Sequence, residues 1–243
     1  MLFRSAWCLA LFLLLCSRIH MLPMFLLLAF ACWKSRKPIH TFSATATVVA
    51  VIVWLYVASQ SALDPRVNLG LTTSELAKIY LFEPLKFIHV LAYTLWDVER
   101  ISFYWRSFIG ILGWLDTPLQ NTHYMGLTML LLLTWGLSSF TTLTWPNLTA
   151  RLGLVMASVL SILLIFFALL ITWTPHPAQL VEGIQGRYFL IPALLLGYAT
   201  SPRTRTNDVK VSRLALTSLV FFLGYSIWCL QQTLMFRYPA IST

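Results

Sequence analysis

Long apolar runs separated by short polar or basic stretches dominate this chain. Four runs contain no Asp, Glu, Lys or Arg and are close to the length of a spanning helix: residues 42–61, 121–142, 152–173 and 214–236. A bilayer core about 30 Å thick needs roughly 20 apolar residues in a helix. A backbone inside lipid must also satisfy its own hydrogen bonds. Each of these runs is therefore predicted to be a transmembrane helix.

Three further apolar runs are shorter. Residues 188–200 contain Pro192, which predicts a short or kinked helix, and the different charge of the flanking loops indicates that it crosses. Residues 2–16 and 21–33 are separated by "SRIH". They are predicted to form a hairpin of two short helices, with one broken helix or a cleaved secretory signal as alternatives. The pattern thus predicts an all-α, polytopic membrane protein with about seven spans.

Composition and charge agree with this class. The chain is 58% hydrophobic and 10% charged, whereas soluble domains carry about 25% charged residues. The net charge of +9 resides in short loops, so it indicates membrane topology rather than nucleic-acid binding. The basic stretches 34–37 and 203–213 are predicted to remain in the cytoplasm. This orientation predicts a cytoplasmic N-terminus.

Residues 62–120 then form a long outer segment that is too polar to span. "TTSE" predicts a helix capped by Thr72 and Glu75, running to Trp96 with a bend at Pro84. A second amphipathic helix is predicted after Asp97. Both helices are expected to lie on the membrane surface. The second ends at "GILGWLDTPL", residues 110–119, where glycines and a proline predict a turn.

Two polar segments on the predicted outer face are candidate sites. In "TPHPAQLVEGIQGRYF", Gly183 and Gly186 permit tight turns, and Arg187 at a helix start can bind a phosphate or carboxylate bidentately. The alternative is a plain interfacial anchor, with Tyr188 at headgroup level. In the second segment, Asp116 can act as a general base or bind a metal. A turn residue is its simpler role.

Other residues suggest no chemistry. The five histidines show no metal-ligand spacing, the four cysteines lie in apolar segments, and neither a metal nor a cofactor is predicted. The spans contain no Asp, Glu, Lys or Arg. Ion carriers and proton pumps usually place ionisable groups at mid-membrane, so a transporter or channel is disfavoured.

The stretches "SFIGILGWLDTPL" and "TWTPHPAQLVEGIQGRYFLIPALLL", with "LCSRIHMLPMFLLL" near the start, resemble a family of bacterial polytopic membrane proteins. This family is catalogued as domain of unknown function 2142. The chain is similar to the C-terminal half of the family's usual length. The family is similar in architecture to C-type membrane glycosyltransferases, which use polyprenyl-phosphate sugars. Their catalytic acid lies in an early outer loop, and this chain has no acid before Asp64.

The resemblance implies roles for particular residues. Arg187 would bind the donor phosphate, and Tyr188 and Trp114 would pack on sugar or prenyl. Asp116 or Glu182 would be the polar partner and candidate catalytic residue. The remaining residues that match the two motifs are Gly113, Gly183, Gln185 and Gly186.

The resemblance implies a protein of the bacterial inner membrane that is part of a lipid-linked sugar transferase for cell-envelope polysaccharide. The alternative is a non-catalytic scaffold or a subunit of a polysaccharide or lipid export assembly. Expected partners are membrane lipid, a polyprenyl-phosphate sugar and a second membrane subunit, but no nucleic acid. The sequence leaves open whether this chain is itself an enzyme.

Overall fold

A computed structural model describes residues 21–35, 38–61, 69–139, 148–201 and 209–238. The fold is mostly helical, which confirms the all-α class. In chain order the helices are α1 (Met24–Ser35), α2 (Pro38–Ser61), α3 (Thr73–Phe82), α4 (Pro84–Trp96), α5 (Val98–Ile109), α6 (Asn121–Ser139), α7 (Leu148–Thr172), α8 (Leu190–Thr200) and α9 (Val209–Arg237). A short antiparallel hairpin, β1 (Ile111–Leu112) and β2 (Thr117–Pro118), lies between α5 and α6.

Two helices within the described ranges are long and apolar enough to cross a membrane, Leu148–Thr172 and Arg213–Arg237. The predicted number of seven spans is therefore not confirmed. α8 has 11 residues, about 16 Å at 1.5 Å per residue, which is shorter than a bilayer core. α6 begins with polar residues. The predicted helix 2–16 and most of the basic loop 203–213 lie outside the described residues.

Residues 73–109 of the predicted outer segment are helical, with one difference from expectation. The capping box is confirmed: the Thr72 backbone N–H donates to Glu75 Oε2 at 2.9 Å, and Glu75 N–H donates to Thr72 Oγ1 at 3.3 Å. The predicted bend at Pro84 is instead a complete break. Glu83 leaves helical geometry, and Pro84 begins a new helix because proline tolerates the first turn but disrupts a helix interior.

The chain divides into two compact units. One comprises Met1–Val98 and Leu152–Ile184. Within it, backbone N–H groups of the loop after α7 donate hydrogen bonds to α4 and to the segment before α3. Val181 N–H donates to the buried Thr94 Oγ1 at 2.9 Å, and His176 N–H donates to the Leu69 carbonyl at 3.1 Å. These bonds give the loop a defined path despite its glycines and prolines.

The other unit comprises Glu99–Arg151 and Gln185–Thr243. Its helices α6 and α9 pack as an antiparallel pair. Thr134 and Ser218 share a hydroxyl hydrogen bond at 2.5 Å, and Leu127 and Cys229 lie in one buried cluster nearer the other end. Because polar side chains hold helices together in lipid, where hydrophobic burial gives little drive, this pairing suits a membrane setting.

Candidate functional site

The "GWLDT" motif forms the tip of the β-hairpin. Gly113 and Leu115 both have positive φ, 64° and 66°, and only glycine adopts this region without cost. A Cβ on Gly113 would also lie 2.2 Å from Asp116 Oδ1. The backbone angle therefore favours glycine at position 113. The resulting turn leaves the Trp114 side chain 95% exposed.

Asp116 is held by an arginine at the other end of the unit's sequence. Arg237, the last residue of α9, donates from Nη2 to Asp116 Oδ2 at 2.5 Å. Its Nη1 donates to the Asp116 carbonyl at 3.2 Å and to Thr117 Oγ1. The hydrogen bond from Arg237 is the main cause that lowers the pKa of the Asp116 carboxyl. An acid so stabilised in its charged form is a weak general base.

The base of the hairpin is closed by Tyr124 from the first turn of α6. Its hydroxyl donates to the Gly110 carbonyl at 2.9 Å and accepts from Leu119 N–H at 3.1 Å. The Arg106 guanidinium lies 5.8 Å from the centre of the Tyr124 ring, within range of a cation–π interaction. The hairpin is therefore fixed to α5, α6 and α9 rather than being a mobile loop.

The "QGRYF" motif packs against α5 at Gly186. The Gly186 N–H donates to the Ser107 hydroxyl at 2.7 Å. A Cβ on Gly186 would lie 2.0 Å from the Tyr104 carbonyl oxygen and 2.2 Å from Phe108 N. The two backbones touch here, so only glycine fits. Residues Gly186–Phe189 form a 3₁₀ turn, and α8 begins at Leu190, two residues after the start at 188 that the sequence predicts.

The side chains of Arg187 and Tyr188 follow Gly186, and the Arg187 guanidinium is accessible to solvent. Arg187 is exposed, and its guanidinium carbon lies 5.9 Å from the centre of the half-buried Tyr188 ring. Within the described ranges, the Arg187 guanidinium makes no ion pair or hydrogen bond. Gln185 Oε1 is buried without a hydrogen-bond partner in the same part of the chain. A buried acceptor without a partner is costly in isolation, and the exposed Arg187 guanidinium is open to a polar ligand.

Internal contacts indicate that the hairpin and Arg187 lie towards the same end of the unit. Trp105 Nε1 donates to Thr128 Oγ1 at 3.0 Å, which joins α5 to α6, while Ser107 joins α5 to Gly186. At the opposite end, Trp135 Nε1 donates to Thr200 Oγ1 at 3.0 Å. α6 and α8 therefore run parallel. No hydrogen bond or ion pair links Arg187 to Asp116 among the described residues.

Glu182 and Gly183 belong to the other unit. The Glu182 side chain is exposed, and its backbone N–H donates to Thr174 Oγ1 at 3.0 Å. Gly183 has φ 75°, and a Cβ there would collide with the Trp173 ring at 2.3 Å. Across the described ranges, no group of three His, Cys, Asp or Glu side chains is arranged to hold a metal.

Sequence reasoning missed three residues that shape these segments: Arg237, Ser107 and Tyr124. Arg237 had a weak signal, because it is the only charged residue after position 213. Ser107 and Tyr124 had none, since a hydroxyl that bonds a distant backbone group leaves no local pattern.

Comparison with known proteins decides the family. A family model described as "Predicted membrane protein (DUF2142)" matches residues 4–196. The chain belongs to this family. The match includes both motifs and ends within α8, so Arg237 lies outside it. No curated protein and no solved structure matches the chain. The family is one of predicted membrane proteins. The apolar helices α7 and α9 agree with this class.

Proposed function

We propose that this DUF2142 protein is a multi-pass protein of the bacterial inner membrane, with about seven spans and a cytoplasmic N-terminus. Its proposed role is to bind a polyprenyl-phosphate sugar on the outer face, as part of a lipid-linked sugar transferase for envelope polysaccharide. The basic loops support the orientation. The family's similarity to C-type glycosyltransferases supports the class of substrate.

The single observation that carries the proposal is that the Arg187 guanidinium is exposed and has no hydrogen-bond partner among the described residues. Two other arginines of the same unit are occupied. Arg151 donates to the carbonyls of Ala199 and Ser201 at 3.1 and 2.9 Å, and Arg237 holds Asp116. The Arg187 side chain is exposed, and its guanidinium forms no hydrogen bond or ion pair with the described residues. A guanidinium so placed can bind a phosphate bidentately.

The neighbouring residues have defined parts in this proposal. Gly186 fixes the backbone against α5, so that Arg187 projects from a rigid point. Tyr188 packs beside the guanidinium, and Gln185 Oε1 accepts a hydrogen bond from a sugar hydroxyl. Asp116 is the weaker of the two candidate acids for proton transfer, because it is bonded to Arg237.

The test is binding of a polyprenyl-phosphate sugar to the purified protein in lipid nanodiscs, measured by native mass spectrometry. A hydrogen bond to a charged group contributes about 1.5–3 kcal/mol, which corresponds to about 10–150-fold in affinity. Arg187→Ala is expected to lose affinity in that range. Arg187→Lys should retain part of it, because lysine keeps the charge but not the bidentate geometry.

Arg213→Ala is the matched control. Arg213 is also an exposed arginine near the end of an apolar helix, but it lies at the predicted cytoplasmic end of α9. Its replacement should leave the affinity unchanged. Equal affinity of the Arg187→Ala variant and the wild type would reject the donor site, and would favour the non-catalytic scaffold or export subunit.

A further inference from the structure

The most exposed large apolar side chain among the described residues is Trp114 at 95%. An isolated exposed apolar residue needs no explanation, but this one stands at the tip of a hairpin that is fixed at both its base and its flank. Tyr124 closes the base, and Arg237 holds Asp116 and Thr117. These hydrogen bonds fix the hairpin backbone, and the Trp114 side chain at its tip is held in an exposed position.

The attachment to Arg237 defines the depth at which the hairpin lies. The candidate span Arg213–Arg237 has 25 residues, about 37 Å at 1.5 Å per residue. A hydrocarbon core is about 30 Å thick. If the helix crosses the membrane, its final turn emerges at headgroup level, and the residues bonded to Arg237 lie there too. Arginine is also suited to this level, because its charged head remains in water while its stem contacts lipid.

The side chains around this attachment share the same character. Phe236 and Tyr238, on either side of Arg237, are 85% and 68% exposed. Trp and Tyr concentrate at membrane–water boundaries because their rings are amphipathic. The outer faces of α6 and α9 below them are apolar, with exposed Met125, Met129, Ile227 and Leu230. Trp114 thus belongs to a hairpin at the ends of these two apolar helices.

We infer that the hairpin tip is a membrane-interface anchor, in which Trp114 inserts among phospholipid headgroups and the Asp116–Arg237 pair sets its depth. The contact is with bulk phospholipid and is present without any substrate. It depends on membrane embedding of α9 but not on the donor site at Arg187. Phospholipid is preferred to a second protein because the attachment point is the end of a candidate span.

The test is depth measurement by electron paramagnetic resonance. A nitroxide is attached to Trp114→Cys, with the four natural cysteines replaced, in vesicles of phosphatidylethanolamine and phosphatidylglycerol. Accessibility to oxygen, which partitions into lipid, is compared with accessibility to a water-soluble nickel chelate. The account predicts a shift towards oxygen relative to a nitroxide in water. Adding Asp116→Asn should reduce this shift, and Arg187→Ala should leave it unchanged.

A second measurement keeps the tryptophan itself. Quenching by bromine-labelled phospholipids is recorded for the wild type and Trp114→Phe, and the difference reports position 114. Strong quenching of this difference signal without substrate supports the anchor. Three outcomes would overturn it: water-like accessibility, shielding from both reagents as in a protein contact, or shielding that develops only when a polyprenyl phosphate is added.

Discussion

At the scale of single residues, the glycine of the "QGRYF" motif is explained by close contact between two backbone segments. Gly186 has no room for a Cβ, because carbonyl and amide atoms of α5 lie within 2.2 Å of where it would be. The sequence predicted that this glycine permits a turn. Its actual role is to let the Arg187 segment approach α5, which depends on residues about 80 positions earlier and has no local signature.

The first prediction concerns this glycine. Gly186→Ala should destabilise the protein by about 1–3 kcal/mol, the usual cost of overpacking, because the obstructing atoms belong to the backbone and cannot rotate away. The measurement is thermal unfolding in detergent, followed by size-exclusion chromatography of heated samples. A clear fall in the unfolding temperature is expected.

Gly197→Ala is the control, in the helix that Gly186 precedes. No atom lies within 4 Å of a Cβ at Gly197, and alanine favours a helix interior over glycine by about 0.5–1 kcal/mol. This variant should be as stable as the wild type or more so. If both alanine variants behaved alike, the close approach to α5 would not be what requires Gly186.

At the scale of elements, most helices followed from the apolar pattern, but their connections did not. The capping box at Thr72 and the helix end before Gly110 were predictable from local chemistry. The complete break at Pro84 and the hairpin after Gly110 were not. The hairpin in particular depends on Arg237, more than a hundred residues away, which no local rule connects to Asp116.

The second prediction concerns the pair that holds this hairpin. Because Arg237 lowers the pKa of Asp116 in the folded protein, the pair stabilises the fold above the carboxyl's ordinary pKa of 3.8. That contribution is lost as the pH falls through the lowered pKa. Asp116→Asn should therefore lower the unfolding temperature slightly at pH 7, and the difference from the wild type should diminish well below pH 3.8.

The exchanged pair Asp116→Arg with Arg237→Asp serves as the control at neutral pH. Restored stability relative to either single variant would show that the two side chains act through each other. If the Asn variant differed from the wild type equally at both pH values, the ionised pair would not be the cause. That result would leave Asp116 available for the catalytic role that its motif suggested.

At the scale of the whole molecule, composition was sufficient to predict a membrane protein, and the family match agrees. The number of spans is a separate question, because it depends on short runs such as residues 188–200, where length alone is ambiguous. The antiparallel packing of α6 and α9 agrees with the predicted topology, since it brings the start of α6 and the end of α9 to one face. Their sidedness in the cell depends on the basic loops, which lie largely outside the described residues.

Sidedness is tested most directly by labelling single cysteines in intact cells with a membrane-impermeant maleimide, in the background without natural cysteines. Gln120→Cys reports the flank of the hairpin, Arg187→Cys the candidate site, and Thr204→Cys the basic loop. Lysed cells give the full labelling level for each position. The account predicts labelling of positions 120 and 187 from outside, with position 204 protected until lysis. Labelling of position 204 with protection of 120 and 187 would contradict the account.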